Sequence, residues 1–221
     1  MGSWQAERSE DGERSGRTVT DYDDVAAAFM AARSSTIGVA VVRTWARNLP
    51  AGGRVLDLGC GHGVPIARTL VEVGLTVHGV DTSPRLLQAF RENVPGATAV
   101  RADAVTVKVE PGSFDGVVAW GLLFLLDPPA QEAVIHRAAT ALKPGGRLLM
   151  TAPVEAGEWV DEMTGRRSVS LGRERYRTLL TEAGLMLTGE AEDDGDNHYW
   201  LATRTSDPRA SYAHRDGGAV F

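Results

Sequence analysis

Three glycines at alternate positions, Gly59, Gly61 and Gly63, follow an apolar run, Val55 to Leu58, that carries one acid, Asp57. Without a Cβ, such a turn lets a ligand lie directly against the backbone. A buried strand that passes through a glycine turn into a helix is the nucleotide-cradling half of a doubly wound α/β sheet. A dinucleotide fingerprint reads G-x-G-x-x-G. Here the third glycine falls two residues after the second, and Val64 follows it. The acid beside the loop favours a ligand ammonium or sulfonium and disfavours a pyrophosphate.

Two further acids obey the same local rule. Val80-Asp81 closes one apolar run, Ala102-Asp103-Ala104 closes another, and Trp120 ends a third that begins at Phe114. In a doubly wound sheet, ligands bind outside the carboxyl ends of the strands, where strand order reverses. Asp57, Asp81, Asp103 and Trp120 are each expected at such an end. Asp81 can accept two hydrogen bonds from a ribose diol, and Asp103 can accept from an exocyclic amine. The competing role for each acid is a helix N-cap. Three acids around one ligand suit a cofactor of positive character.

These residues need a scaffold of alternating elements. Residues 1–20 mix Glu, Asp, Arg, Ser and Gly without apolar periodicity and are expected to form a flexible tail. From Asp23 to Leu49 the apolar residues recur at helical spacing, and Gly38 with the Ser34-Ser35-Thr36 run divides the stretch into two helices. Strands are then expected at 54–58, 75–80, 98–102, 114–120, 147–152, 185–191 and 198–203. Helices are expected at 64–73, 84–93, 128–142 and 173–183. Ser83-Pro84 and Asp127-Pro128 have the cap-and-proline pattern of a helix start, and Lys143-Pro-Gly-Gly146 reads as a turn. The pattern predicts an α/β fold: a doubly wound, Rossmann-like, mostly parallel seven-stranded sheet with helices on both faces. Its last two strands, with no helix between them, add a C-terminal antiparallel hairpin strand. One domain over 21–204 is expected, with a second flexible tail at 205–221.

At 221 residues the chain is long enough to bury one substantial core. With 43% apolar and 24% charged residues it reads as globular. No run approaches the ~18 apolar residues of a membrane span, and Met1 to Arg17 is too polar for a signal peptide. A cytoplasmic protein with no membrane partner is therefore expected. The net charge of −6 argues against a phosphate-backbone binder, so no nucleic-acid partner is expected. A single cysteine, Cys60, excludes a disulfide framework and a multi-cysteine zinc site.

Taken in order, five segments resemble the motifs of the class I S-adenosylmethionine (SAM) methyltransferases. They are Asp57-Leu-Gly-Cys-Gly-His-Gly63, Val80-Asp81, Ala102-Asp103-Ala104, Phe114-Asp-Gly-Val-Val-Ala-Trp120 and Leu142-Lys-Pro-Gly-Gly-Arg-Leu-Leu-Met150. The first looks like the family's D/E-x-G-x-G-x-G loop, and the resemblance runs from about Val55 to Arg204. It implies SAM as cofactor, released as S-adenosylhomocysteine (SAH). By the same resemblance, Asp57, Gly59, Cys60, Gly61 and Gly63 make the cofactor loop. Asp81 with Thr82 would hold the ribose, Asp103 with Ala104 the adenine, Tyr22 and Arg33 would close over the cofactor, and Trp120 would contact it from the end of its strand.

Methyl transfer from a sulfonium is an in-line displacement governed by proximity and orientation, and a base is needed only if the acceptor must lose a proton. His198, opening the final strand, is the candidate base, with Asn197 or Tyr199 binding the acceptor. Its competing role is packing at the sheet edge. Glu158 and Trp159, on the long connection from Pro153 to Arg167, are candidates for a lid that carries a carboxylate. Trp120 could face the sulfonium as a cation–π partner. No metal is expected, because metal-dependent catechol-type relatives carry an acid where this chain has Trp120-Gly121.

Other signals are discounted. The acidic run from Glu190 to Asp196 lacks the ordered spacing of a calcium loop. Asp127-Pro-Pro-Ala130 lacks the fourth-place aromatic of the adenine-methylating D-P-P-Y signature. Cys60 reads as a small turn residue, His62 as part of the loop, and His136 as an exposed helix residue. The expected activity is metal-independent methylation of an oxygen or nitrogen on a small-molecule acceptor, by a monomer or homodimer. A SAM-binding protein without transfer activity would keep the same acids. A nicotinamide-dependent reductase would need the other glycine spacing.

Overall fold

A computed structural model describes residues 21–161 and 164–205, with the backbone only of Asp21 and Tyr22. The tail expected at 1–20, and all of the one expected at 205–221 except Thr205, lie outside the described residues. Thr205, expected to open the second tail, still bonds through its N–H and hydroxyl to the Gly184 carbonyl, each at 3.0 Å.

The chain enters through three short helices, α1 (Asp21–Asp24), α2 (Ala26–Ala32) and α3 (Val39–Ala46), where the periodicity predicts two. The extra break falls at Val25. The second falls as expected, where the Ser34 hydroxyl accepts the Ile37 N–H at 3.2 Å and Gly38, at φ +87°, opens α3. Alternation then begins with β1 (Arg54–Leu58), α4 (Ile66–Glu72), β2 (Thr76–Asp81), α5 (Pro84–Asn93) and β3 (Thr98–Arg101). It continues with β4 (Phe114–Ala119), a 3₁₀ turn at Leu123–Leu125, α6 (Pro128–Ala141) and β5 (Leu142–Thr151). Ser83 and Asp127 cap α5 and α6, accepting the N–H groups of Leu86 and Ala130 at 3.1 and 3.0 Å. Last come β6 (Gly157–Val160), β7 (Arg167–Ser170), α7 (Arg173–Glu182), β8 (Leu185–Glu192) and β9 (His198–Arg204).

Seven strands form one sheet in the order β3-β2-β1-β4-β5-β9-β8. The first five are parallel, and β9 runs antiparallel between β5 and β8. Strand order therefore reverses between β1 and β4, where a doubly wound sheet opens its ligand crevice. The period of two sorts each strand between two cores. Leu56, Val117, Leu148 and Trp200 pack under α6 and α7, while Val55, Val118, Leu149 and Tyr199 pack under α3, α4 and α5.

Two stretches differ from the sequence reading. Lys143 to Gly146 is a bulge inside β5 rather than a turn before it. Leu142 already pairs with Phe114, and the register shifts before Arg147 pairs with Gly116. The connection expected to be irregular after β5 contains the β6–β7 hairpin, whose tip includes two residues outside the description, 162–163. Gln131 anchors this hairpin. Its buried amide donates to the carbonyls of Leu126 and Val169, both at 2.9 Å, and accepts from the Tyr176 hydroxyl at 2.7 Å. Short strands with charged flanks carry little periodic signal, so only this docking reveals them.

Candidate active site

A cavity of about 360 Å³ lies at the carboxyl ends of β1 to β4, lined by Arg33, Gly59, Gly61, Asp81, Thr82, Asp103, Ala104 and Trp120 among others. The loop after β1 shapes its floor. Gly59, Gly61 and Gly63 have φ of +72°, +53° and +82°, the left-handed region that glycine enters without strain. The N–H groups of Gly59 and Cys60 both donate to the Val80 carbonyl, at 2.8 and 3.0 Å, and pin the loop onto β2. The Cys60 thiol is buried against Gly79, where an added Cβ would come within 2.7 Å of the sulfur. Burial pushes that thiol well above its ordinary range.

The three carboxylates differ in how they are held. Asp57 is only 2% exposed, and its Oδ2 has no hydrogen-bond partner among the described residues. It lies in a small recess behind the cavity, shared with Arg33, Gly59, Gly61, His62 and Trp120. Burial, and then the charge of Asp81, push Asp57 up to about 7. Asp81 accepts the Gly61 N–H through Oδ2 at 2.8 Å and the Ser83 N–H through Oδ1 at 2.9 Å. Burial raises its pKa, against the pull of these N–H groups. Asp103 accepts the Val105 N–H at 2.7 Å, turning the chain after β3. Asp81 and Asp103 thus combine a turn-capping role with a place in the cavity wall.

Arg33 covers the cavity from the N-terminal segment. Its guanidinium carbon stands 4.0 Å from the Trp120 ring centroid and 5.0 Å from that of Phe29. The Trp120 indole is therefore already stacked by a cation of this chain, and its N–H donates to the Tyr199 hydroxyl at 2.8 Å. Trp120 also lines the cavity. The side chain of Tyr22 lies outside the described residues. His62 meets the Phe29 ring edge-on at 5.8 Å, and burial, followed by Arg33 and Arg68, lowers its pKa.

The outer wall holds residues the sequence reading does not single out: Phe29, Leu122, Phe124, Leu125 and Leu126. The apolar run from Leu122 to Leu126, directly after a strand end, was the signal available for four of them. The β6–β7 hairpin closes this side with Asp161, Thr164 and Arg166, and Phe124 meets Trp159 at 5.8 Å between ring centroids. Asn197 reaches the cavity from the turn before β9.

Neither polar candidate for the chemistry lines the cavity. His198 shares strand parity with Trp200 and meets its ring at 5.2 Å, on the α7 face of the sheet. Its Nε2 lies 2.8 Å from Glu190, its Nδ1 3.2 Å from Glu192, and Glu190 also binds Arg173 and Arg177. Glu158 is exposed on β6 and paired with Arg167 across the hairpin. This pairing and the depressed carboxyl pKa that comes with it make it a poor proton acceptor. Among the described residues, no group of three His, Cys, Asp or Glu is placed to hold a metal ion.

Residues 55–146 match the family model described as a methyltransferase domain. The chain is 31% identical over 155 residues to methyltransferase GfsG of Streptomyces halstedii, covering 63% of this chain and 55% of that protein. It is 33% identical over 152 residues to the 27-O-demethylrifamycin SV methyltransferase of Amycolatopsis mediterranei, covering 62% and 55%. The chain thus spans about half the length of the curated relatives it matches. Among solved structures, the 1,6-didemethyltoxoflavin-N1-methyltransferase of Burkholderia thailandensis superposes with a TM-score of 0.62 at 19% identity, covering 88% of this chain and 94% of that one. The matched span covers β1 to the β5 bulge, the stretch that holds the glycine loop, Asp81 and Asp103, so this part of the chain is similar to a methyltransferase domain.

Proposed function

We propose that the protein binds SAM in the cavity at the ends of β1 to β4 and transfers its methyl group to an oxygen or nitrogen of a small-molecule acceptor. The observation that carries this reading is the buried, hydrogen-bond-deficient carboxylate of Asp57 behind a glycine loop of left-handed residues. An uncompensated buried carboxylate is costly, and a cationic ligand seated against the loop would offset it. Asp81 would accept from the ribose hydroxyls, Asp103 from the adenine amine, and Arg33 would pair with the ligand's carboxylate. Gly59 and Gly61 allow close approach of the backbone. Bound there, the sulfonium would supply an electrophilic methyl group.

The chain's own contribution is then positioning and exclusion of water. Leu122, Phe124, Leu125 and Leu126 form an apolar wall on which an acceptor can be held, and the hairpin shields it from the other side. Among the described residues, the titratable side chains lining this cavity are aspartates and arginines. This supports transfer by proximity, without a dedicated histidine base. The relatives' names give both choices of atom, since one is a 27-O-demethylrifamycin SV methyltransferase and one an N1-methyltransferase. Titration calorimetry with SAH should show saturable binding, and NADH should show none. Tight NADH binding with no SAH signal would overturn the reading.

A further inference from the structure

We propose that the Tyr199 hydroxyl is a positioning group for the cofactor site, acting through Trp120 on the Arg33 guanidinium. The inference rests on the SAM-binding reading above. Tyr199 does not line the cavity and is fully buried under α3. Its hydroxyl nevertheless stands between Trp120, which lines the cavity, and Asp193, which holds the cavity-lining Asn197. The Trp120 indole N–H donates to it at 2.8 Å, and it donates in turn to Asp193 Oδ2 at 2.5 Å.

A phenol hydroxyl has one proton and two lone pairs. Asp193, its pKa held below the ordinary range, accepts the hydrogen bond of that proton, so a lone pair is left for the indole. The direction of the chain is thereby determined: indole N–H to phenol, phenol to carboxylate. Asp193 is itself fixed, accepting the Gly195 N–H at 2.9 Å and the Asn197 N–H at 3.1 Å, with the Asn197 amide on both its oxygens. At the other end, the flat face of Trp120 carries Arg33 at 4.0 Å. Gly38 closes the N-terminal segment over the same pair. A Cβ there would come within 2.8 Å of the Tyr199 hydroxyl and 3.3 Å of Trp120.

Without the hydroxyl, the indole N–H would be buried with no acceptor and would be driven to reorient. Arg33 would lose the platform that aims its charge into the cavity. A purely structural bond would make a different prediction: losing it would weaken ligand binding, if at all, independently of Arg33.

A double-mutant cycle separates the two. SAH affinity is measured by calorimetry for the parent, Tyr199→Phe, Arg33→Met and the double variant, with melting temperatures for each. We expect Tyr199→Phe to weaken SAH roughly 5- to 30-fold, as loss of a buried hydrogen bond does. In the Arg33→Met background the same change should have no further effect. Asp193→Asn, a milder change, gives a smaller loss with the same dependence on Arg33 and serves if Tyr199→Phe fails to fold. Equal losses in both backgrounds, or unchanged affinity in Tyr199→Phe, would overturn the proposal. A parent that does not bind SAH would instead remove the functional reading on which it rests.

Discussion

The Ser83 hydroxyl donates to Asp23 Oδ1 at 2.7 Å, although 60 residues separate the two. The same carboxylate oxygen accepts the Arg85 N–H at 3.0 Å, while Ser83 Oγ accepts the Leu86 N–H. The first turn of α5 is thus capped twice, once by its own serine and once from α1. This clasp ties the N-terminal segment, with Phe29 and Arg33, to the element that follows Asp81. Asp23→Ala should therefore weaken SAH binding roughly 3- to 10-fold, the range of one modest hydrogen bond. The Ser83 hydrogen bond, then the Arg85 N–H, lowers the Asp23 pKa. The stability from a depressed carboxyl is present above about pH 4 and lost as pH falls through the folded value. The melting difference between parent and variant should shrink at pH 3.5. Unchanged SAH affinity would show that the segment closes without the clasp.

Asp57 should behave in the opposite sense. Its carboxyl is raised to about 7, so the fold favours the protonated form. Its contribution to stability is complete below about pH 4 and is lost as pH rises through about 7. Asp57→Asn should melt above the parent at pH 8 and close to it at pH 5. SAM affinity should follow the ionised carboxylate, rising with pH between 6 and 7.5 in the parent by up to roughly tenfold per unit. The asparagine variant should show a flat profile over that range. The same slope in both proteins would remove Asp57 from the ligand's surroundings.

Two loop glycines should fail differently. A methyl at Gly63 would lie 2.6 Å from Val94 and 2.9 Å from Phe90, both in the core, whereas at Gly61 its nearest neighbour is Phe29 at 3.6 Å. Each alanine adds left-handed strain of about 1–2 kcal/mol. Gly63→Ala adds overpacking of roughly 1–3 kcal/mol, so it should show the larger drop in melting temperature. Gly61→Ala should keep more of its stability and lose more SAH affinity, because its methyl enters the cavity. Denaturant melts beside calorimetry decide the matter, and equal effects on both quantities would contradict the assignment.

His198→Ala should leave SAH affinity and turnover within a few-fold of the parent once an acceptor is in hand. Its structural partners, Glu190 and Trp200, would lose a neighbour, so the melting temperature should fall. Glu158→Ala should change neither binding nor turnover appreciably, since that carboxylate is exposed and tied to Arg167. A turnover loss of about 10²-fold or more in His198→Ala, with SAH binding intact, would restore the histidine as a base.

Legibility followed the range of the forces involved. The end of β1, the glycine loop, Asp81 and Asp103 are readable because an apolar run, a turn residue and an acid are neighbours in sequence. Local backbone preference therefore places them together at strand ends. The caps at Ser83 and Asp127 are readable for the same reason. The β6–β7 hairpin is not, because its strands are short and its position depends on Gln131 from another element.

His198 marks the boundary most clearly. Its residue type and position at a strand start are visible in the sequence. The face it occupies is decided by which neighbour the sheet buries beneath α7. Once Trp200 packs against Tyr176, at 5.5 Å between rings, the period of two carries His198 to that face and Tyr199 to the other. By itself, the sequence determines that acids and glycines meet at the ends of parallel strands, because that arrangement is local. Only the tertiary structure decides that Arg33 stacks on Trp120, that Trp120 leans on Tyr199 79 residues away, and that His198 turns from the cavity, because each depends on long-range packing.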